Sequence, residues 1–289
     1  MINIFNPWTA FNNVVFYITL VLSAGGVAGN GVLIWNLVFH IKKGALNLYL
    51  LNLAAADFLF LSCQVGFSCA QLLRGSADST LYFVITFLWF SVGLWLLACF
   101  CLDGWLSSVA CCQRRRPRIT SPVLCALAWA LALPAVLLPA DACGMLTAGA
   151  RWLTCVRYYS VSIVWLLALV GLGFGATMAF IIWASCCTPS SQSPKFYSLV
   201  RSSGLLLLFC RLPLVICWSL WPLLAFLFSF LPPLATLLAC VDSSCKPLLY
   251  LLAGMQLGRW ESLRVVLHRV LSEETQPGLR GLALPMAHV

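Results

Sequence analysis

Four ionisable side chains interrupt long apolar stretches of this chain, and their types and spacing suit charge pairing away from water. Asp242 and Lys246 lie one helical turn apart in the segment DSSCKPLLY, whereas Asp57 and Arg211 lie in two other apolar stretches. An ionisable group at bilayer depth is costly, so it usually faces a protein interior and has a partner or a function. Because two acids and two bases are neutral together, we predict one intramembrane charge network. Simple i, i+4 pairing of Asp242 with Lys246 is the alternative.

The composition indicates an integral membrane protein. Hydrophobic residues make up 62% of the 289 residues and charged residues 9%, and the mean hydropathy of +0.97 lies outside the range of soluble domains. A helix satisfies its backbone polar groups without water, and about 20 apolar residues span the hydrocarbon core. The sequence therefore predicts an all-α bundle of seven transmembrane helices. The predicted spans are 14–39, 46–73, 81–106, 121–139, 157–185, 199–221 and 227–252.

The basic residues predict the orientation of this bundle. Twelve loop and tail lysines and arginines fall on one side of the seven spans, whereas only Arg74, Arg151 and Arg157 fall on the other. Cytoplasmic loops carry the excess of cations, so we predict a cell-membrane protein with an extracellular N-terminus and a cytoplasmic C-terminus. The net charge of +9 follows from this bias. A nucleic-acid partner is therefore not expected, and the lipid bilayer is.

The chain divides into four predicted segments. Residues 1–13 form an extracellular N-terminus that lacks the basic region of a cleaved signal peptide, and 14–252 form the seven-helix domain. Apolar residues recur at helical spacing in 253–274 with arginines on other faces, which predicts an amphipathic cytoplasmic helix on the inner leaflet. Residues 275–289 are predicted to be a disordered cytoplasmic tail.

Most of the 15 cysteines lie within apolar spans, where cysteine behaves as a small hydrophobic residue. Cys143 and Cys155 differ because they flank the loop between the fourth and fifth spans, the only cysteine pair predicted in the oxidising compartment. We predict a disulfide between them, with two free thiols as the alternative. The adjacent pairs Cys111–Cys112 and Cys186–Cys187 lie at cytoplasmic span ends, where we expect inert thiols, with palmitoylation as the alternative.

Several short motifs occur in the order and spacing found in rhodopsin-like (class A) G-protein-coupled receptors. They are Gly29 and Asn30 in the first span, LAAAD ending at Asp57 in the second, Trp129 in the fourth, Cys210 and Pro213 in the sixth, and Pro247 and Tyr250 in the seventh. Together they resemble that class over nearly the whole chain. The resemblance implies an extracellular ligand and a heterotrimeric G-protein as partners.

A narrower resemblance comes from longer segments and from the cysteines. LNLAAADFLFLS at 51–62, LYFVITFLWFSVGLWLLA at 81–98 and LRVVLHRVLSEE at 263–274 are similar to Mas-related G-protein-coupled receptors. A bridge between the fourth and fifth spans, in place of one from the third, also resembles that family. The resemblance implies an orphan receptor of sensory neurons, with an unknown ligand, that modulates nociceptor function and pain sensation.

Three switch positions depart from the class pattern. The coupling triplet at the end of the third span reads Asp103, Gly104, Trp105, so the arginine that packs against the G-protein in this class is missing. Arg211 replaces the tryptophan of the sixth-span motif, and Lys246 replaces the asparagine of the seventh-span motif. Conventional coupling is therefore in doubt. Drift after loss of signalling and retuned coupling are both compatible with these changes.

Depth along the helices makes pairing of the four charges reasonable. At 1.5 Å per residue, Asp57, Arg211 and Asp242 all lie on the order of 15 to 20 Å from the cytoplasmic ends of their spans. Lys246 lies about one turn shallower, and its four-carbon stem can cover that difference. Receptors of the class often hold sodium beside the second-span aspartate. Our hypothesis is that Lys246 supplies this positive charge permanently.

Aromatic residues near the outer ends of the spans predict an apolar ligand pocket. The candidate pocket residues are Phe83, Trp89, Tyr158, Tyr159 and Trp218. Lipid-facing or interfacial aromatics are the alternative for any one of them, because membrane helices place tryptophan and tyrosine at the bilayer surface.

Other classes of protein fit the sequence less well. Cys240 occupies the position of the retinal-binding lysine of opsins, so no retinal is expected. A seven-helix transporter is disfavoured because the two halves do not repeat and lack matching Gly or Pro breaks. His40, His268 and His288 are all predicted to be cytoplasmic, and neither a catalytic triad nor metal-ligand spacing appears. We expect a protein that is not an enzyme and has no cofactor or metal.

Overall fold

The computed structural model describes residues 7–39, 45–74, 79–109, 120–146, 152–186, 207–219 and 231–254. This part of the chain forms seven helices, in agreement with the predicted spans. They are α1 Pro7–Phe39, α2 Ala45–Arg74, α3 Ser79–Val109, α4 Thr120–Ala142, α5 Trp152–Cys186, α6, which joins a π-helical turn at Leu207–Arg211 to an α-helix at Leu212–Ser219, and α7 Leu231–Gly254.

Five of the described helices, α1 to α5, are long and apolar enough to cross a membrane. The described part of α6 is short, and α7 contains two charges that lower its mean hydropathy. α1 begins at Pro7, earlier than the predicted start of the first span at residue 14. Proline suits the first position of a helix, because its fixed φ is helical and its missing N–H has no partner there. The predicted helix and tail beyond residue 254 lie outside the described residues.

α3 is the central helix of the bundle. It packs against α2, α4 and α5, and its buried apolar residues form the middle of the core. α1 packs against α2 and α7, and α6 packs against α5 and α7. This arrangement brings α2, α6 and α7 around one side of α3, which is where the ionisable residues of the sequence occur.

A proline explains the π-helical turn in the described part of α6. Pro213 cannot donate a backbone hydrogen bond to Phe209, and its ring crowds the carbonyl of that residue. The wider π-helical turn at Leu207–Arg211 lies next to this position and relieves the crowding. Arg211 is the last residue of the turn, so the irregular backbone sets the direction of its side chain.

The α1–α7 contact depends on small and polar residues. A Cβ atom at Gly26 would collide with Ser244 of α7 and Leu61 of α2, so only glycine allows this approach. The Asn30 amide nitrogen donates to the Gly26 carbonyl at 2.9 Å and to the Ser243 carbonyl at 3.0 Å. α7 is thereby fixed against α1 at the level of its own charged residues.

Candidate functional site

Four charged side chains from three helices form a closed cycle, the charge ring, consisting of Asp57, Arg211, Asp242 and Lys246. Arg211 donates from Nε to Asp242 at 2.5 Å and from Nη2 to Asp57 at 2.9 Å. Lys246 Nζ lies 2.7 Å from Asp57 and 2.9 Å from Asp242. Each acid thus contacts both bases. The structure brings together all four residues of the predicted network, including the i, i+4 pair.

The charge ring is almost completely removed from solvent. Its four side chains are at most 3% exposed, so water cannot screen their charges. The ring is neutral as a whole, which makes this burial tolerable. Removing one member would leave an uncompensated buried charge, a change that typically costs about 3 to 5 kcal/mol. The ring therefore ties α2, α6 and α7 together only as a complete set.

The two acids of the charge ring are satisfied unequally. Asp57 Oδ1 also accepts a hydrogen bond from the Ser243 hydroxyl at 2.8 Å, so both of its oxygens have partners. Asp242 accepts both of its ion pairs at Oδ2. Among the described residues, Asp242 Oδ1 and Arg211 Nη1 have no hydrogen-bond partner. The ring thus keeps one buried acceptor and one buried donor unused.

α3 forms the wall behind the arginine. The Arg211 guanidinium carbon lies 5.3 Å from the centre of the Phe90 ring, a cation–π distance. A Cβ atom at Gly93 would lie 2.9 Å from Arg211 Nη1, closer than side chains normally approach. The absence of a side chain at Gly93 therefore provides the space in which the guanidinium lies.

The residues of the charge ring do not fit a sodium ion. Lys246 Nζ lies within 3 Å of a carboxylate oxygen of both Asp57 and Asp242, so its ammonium group already provides the cation between them. Arg211 balances the second negative charge. A further cation would meet two positive groups and no spare negative charge in the ring.

A second group of side chains, the aromatic cluster, lies towards the other end of the same α6 face. It consists of Phe83 and Phe87 of α3, Tyr159 of α5 and Trp218 of α6. The Phe87 and Trp218 rings are parallel within 2°, with centroids 4.2 Å apart. Phe83 and Tyr159 lie 5.5 Å and 6.2 Å from Trp218 with ring planes 27° and 26° away. The Tyr159 hydroxyl donates to the Trp218 carbonyl.

Two residues of the predicted pocket lie outside the aromatic cluster. Trp89 contacts Trp129 of α4, with ring centroids 6.1 Å apart. Because Trp89 follows Phe83 by six residues along α3, the two side chains point to different faces of the helix. Tyr158 is 41% exposed on the outside of α5, since it precedes the buried Tyr159 by one residue. The structure therefore brings Phe83, Tyr159 and Trp218 together and places Trp89 and Tyr158 elsewhere.

The disulfide joins the end of α4 to the start of α5. Cys143 and Cys155 are bonded, with Cα atoms 4.7 Å apart, which confirms the predicted bridge. Gly144 follows with a φ of 73°, and its N–H donates to the Asp141 carbonyl. A left-handed glycine of this kind ends a helix, so α4 stops where the bridge begins.

The remaining motif positions differ in how far the structure describes them. Cys210 is buried beside Arg211, and Pro247 lies against Gly29, where a Cβ atom would be 3.4 Å from it. Tyr250 belongs to α7, and Asp103, Gly104 and Trp105 belong to the last turns of α3. Their side chains lie outside the described residues.

Sequence reasoning missed several residues that complete the site. Phe87 and Phe90 follow Phe83 at i+4 and i+7, a helical spacing that could have identified them. Ser243 follows Asp242 directly and could have been considered as a further hydrogen-bond partner of Asp57. Gly93 carries no chemical signal in the sequence, because its role is to leave space.

Comparison with known proteins gives full-length matches. The chain is 55% identical over 292 residues to Mas-related G-protein coupled receptor member G of Mus musculus, with 100% of both chains covered. It is 53% identical over 288 residues to member G of Homo sapiens, with 99% of each chain covered. It is 32% identical over 277 residues to member E of Homo sapiens, covering 93% of this chain and 88% of that protein. No protein-family model matches the chain.

Proposed function

The chain belongs to the Mas-related G-protein-coupled receptor family, and we propose that it transduces an extracellular ligand to heterotrimeric G-proteins with weak or unusual coupling. It is a multi-pass membrane receptor with a seven-helix fold of the rhodopsin-like class, not an enzyme. In this proposal the N-terminus is extracellular and the C-terminus cytoplasmic, as the distribution of basic residues predicts. The ligand acts at the aromatic cluster, near the end of the bundle that carries the disulfide.

The observation that supports unusual coupling most is the charge ring. Arg211 of α6 occupies the position that holds a tryptophan in the resemblance described above, and it is bound to acids on α2 and α7. Any movement of α6 away from these helices would separate ions in a medium of low dielectric constant. The ring therefore favours a single position of α6, which would lower the basal activity of the receptor.

A second candidate function is a receptor that no longer activates G-proteins. Gly104 stands where the resemblance implies the arginine that contacts the G-protein, so that contact is missing from the sequence. A receptor of this kind would still fold and reach the membrane, because the charge ring that ties α2, α6 and α7 together does not include Gly104. The two candidate functions differ only in signalling.

A role in nociceptors is part of the proposal and comes from the family resemblance alone. The ligand that would act in such cells is not specified by any residue described above. Expression of the receptor in sensory neurons, followed by recording of their excitability with and without the receptor, tests this role separately from coupling.

The test of coupling is nucleotide exchange on each class of G-protein, measured with three forms of the receptor at matched surface levels. The natural chain is compared with Gly104→Arg and with Arg211→Leu, which releases α6 from Asp57 and Asp242. Exchange catalysed by the natural chain, increased by Arg211→Leu, is the expected result. Exchange with Gly104→Arg alone would support the non-signalling candidate. Exchange by Arg211→Leu no higher than that of the natural chain would contradict the proposed restraint of α6 by the charge ring.

A further inference from the structure

We propose that Arg157 of α5 binds the phosphate group of a membrane phospholipid, in the leaflet on the disulfide side of the bundle. In the proposed orientation of the receptor this is the outer leaflet. The inference goes beyond the proposed function, and it needs no assumption about the extracellular ligand or the G-protein.

Arg157 lies on the face of α5 that points away from the bundle. The opposite face is fixed by Tyr159 and Ser162, which are buried and donate hydrogen bonds to backbone carbonyls of α6 and α4. Leu153 and Val161 lie one turn before and one turn after Arg157 on its own face, and they are 83% and 63% exposed. Arg157 itself is exposed. In a membrane-spanning helix, an exposed apolar face of this kind meets lipid.

The depth of Arg157 places its charge at the border of the hydrocarbon core. The apolar span of α5 begins at Trp152, five residues or about 8 Å before Arg157 along the helix axis. Because Leu153 continues the exposed apolar surface outward and Val161 continues it inward, the guanidinium is flanked by lipid-facing side chains on both sides. Trp152 is 74% exposed at the helix start, where tryptophan is typical of the membrane interface. A charge at this depth requires a counterion.

The protein does not supply that counterion from the part of the chain that the structure describes. Arg157 forms no hydrogen bond or ion pair with another described residue. A phospholipid carries a negative phosphodiester just outside the hydrocarbon, within reach of a long side chain that extends towards the surface. The planar guanidinium offers paired N–H donors that match two phosphate oxygens. The acyl chains of the same lipid would cover Val161.

A second copy of the chain fits this face less well than a phospholipid does. Further along the same face, Gly171 and Gly175 meet nothing within 4 Å, and small residues of this kind can let two helices approach closely. A symmetric α5–α5 contact would, however, bring Arg157 of both copies together in a medium of low dielectric constant. The two like charges would oppose the contact, whereas a phosphate group neutralises each of them.

The test is native mass spectrometry of the purified, delipidated receptor, which measures the affinity for the first bound lipid. The probes are dioleoylphosphatidylcholine, dioleoylglycerol, which has the same chains without the phosphate, and glycerol phosphate, which lacks the chains. The natural chain is compared with Arg157→Leu, with Arg157→Lys and with the control Val21→Ala, at a 71% exposed position on α1. We expect phosphatidylcholine to bind the natural chain and Val21→Ala equally and Arg157→Leu about tenfold more weakly. Arg157→Lys should be intermediate, because an ammonium group lacks the paired donors of a guanidinium.

Several results would overturn the proposal. Equal affinity of the natural chain and Arg157→Leu for phosphatidylcholine, or equal binding of dioleoylglycerol and phosphatidylcholine, would remove the phosphate contact. Glycerol phosphate binding as tightly as the lipid would show an adventitious ion only. A dimer of the natural chain that dissociates in Arg157→Leu would assign this face to a second copy. If Arg157→Leu does not fold, Arg157→Lys decides, because its affinity must fall below that of the natural chain.

Discussion

Arg211 and Trp218 lie on one face of α6, two helical turns apart, and the interactions that hold them differ in kind. Arg211 is bound to two carboxylates through directed ion pairs of 2.5 and 2.9 Å. Trp218 is held by stacked rings and one backbone hydrogen bond from Tyr159. Both side chains are fully buried, at 1% and 0% exposure. Although Arg211 and Trp218 are equally buried, we therefore expect substitutions at the two positions to have different effects.

Substitution of one residue of the charge ring affects the other three charges, whereas substitution in the aromatic cluster affects mainly the side chain that is removed. Loss of one charge leaves its partners buried and uncompensated, so the cost does not depend only on the atoms removed. Loss of one ring removes its contacts and leaves a cavity that neighbouring side chains can partly fill. We expect the ring to fix the position of α6 and the cluster to adapt to a ligand.

The largest effect should follow from Asp242→Asn. This change removes one of the two acids that Arg211 and Lys246 share and leaves two buried cations facing one acid. We expect a loss of about 4 kcal/mol in the free energy of unfolding and low surface expression. Thermal unfolding of the purified receptor measures it. Val164→Ala, at a 69% exposed position on α5, is the control and should unfold like the natural chain.

Trp218→Ala should have the next largest effect. The indole fills the space between α3, α5 and α6, and its removal creates a cavity that costs about 3 kcal/mol. A planar aromatic additive should restore part of the lost Tm, whereas no additive should restore Asp242→Asn. If Asp242→Asn proved the milder of the two variants, the contrast between ring and cluster would be wrong.

A smaller effect is expected from Gly93→Ala. The added methyl group would lie 2.9 Å from Arg211 Nη1 and force the guanidinium away from its acids. We expect destabilisation of about 1 to 2 kcal/mol, measured by thermal unfolding. Gly175→Ala is the matched control, because a Cβ at Gly175 meets nothing within 4 Å. Equal unfolding temperatures for the two variants would show that Gly93 does not position Arg211.

The smallest effect is the response to sodium, which we expect to be absent in the natural chain. Because Lys246 already lies between Asp57 and Asp242, replacing sodium with choline in the buffer should leave the Tm unchanged. Lys246→Met frees a negative charge and should make the Tm depend on sodium. Sodium dependence of the natural chain would contradict the assignment of the cation position to Lys246.

The charge ring was predictable from sequence because buried charges are rare and helical rise fixes their depth. Asp57, Arg211 and Asp242 fall at similar depths once the spans are placed, and the reach of Lys246 could be estimated from its stem. The unequal use of the oxygens of Asp57 and Asp242 was not predictable, since it depends on the rotation of each helix. The same is true of Gly93, whose contribution is empty space beside Arg211.

The aromatic cluster was predicted less well because aromatic residues are common in every part of a membrane helix. Trp89 and Phe83 lie on the same helix, and only their contacts show that Trp89 faces α4 and Phe83 faces Trp218. Tyr158 and Tyr159 are adjacent and point in different directions. Sequence alone does not assign these faces, whereas the seven-helix fold and the disulfide between Cys143 and Cys155 followed from hydropathy and cysteine placement.

The most direct test of the charge ring is a double-mutant cycle between Asp57→Asn and Lys246→Met, with thermal unfolding and surface expression as measurements. Each single variant leaves an unpaired buried charge, whereas the double variant leaves the neutral ion pair of Arg211 and Asp242. We therefore expect the double variant to be more stable than the sum of the single losses predicts, with a coupling of about 2 kcal/mol. Additive losses, or single variants that unfold like the natural chain, would contradict the charge ring.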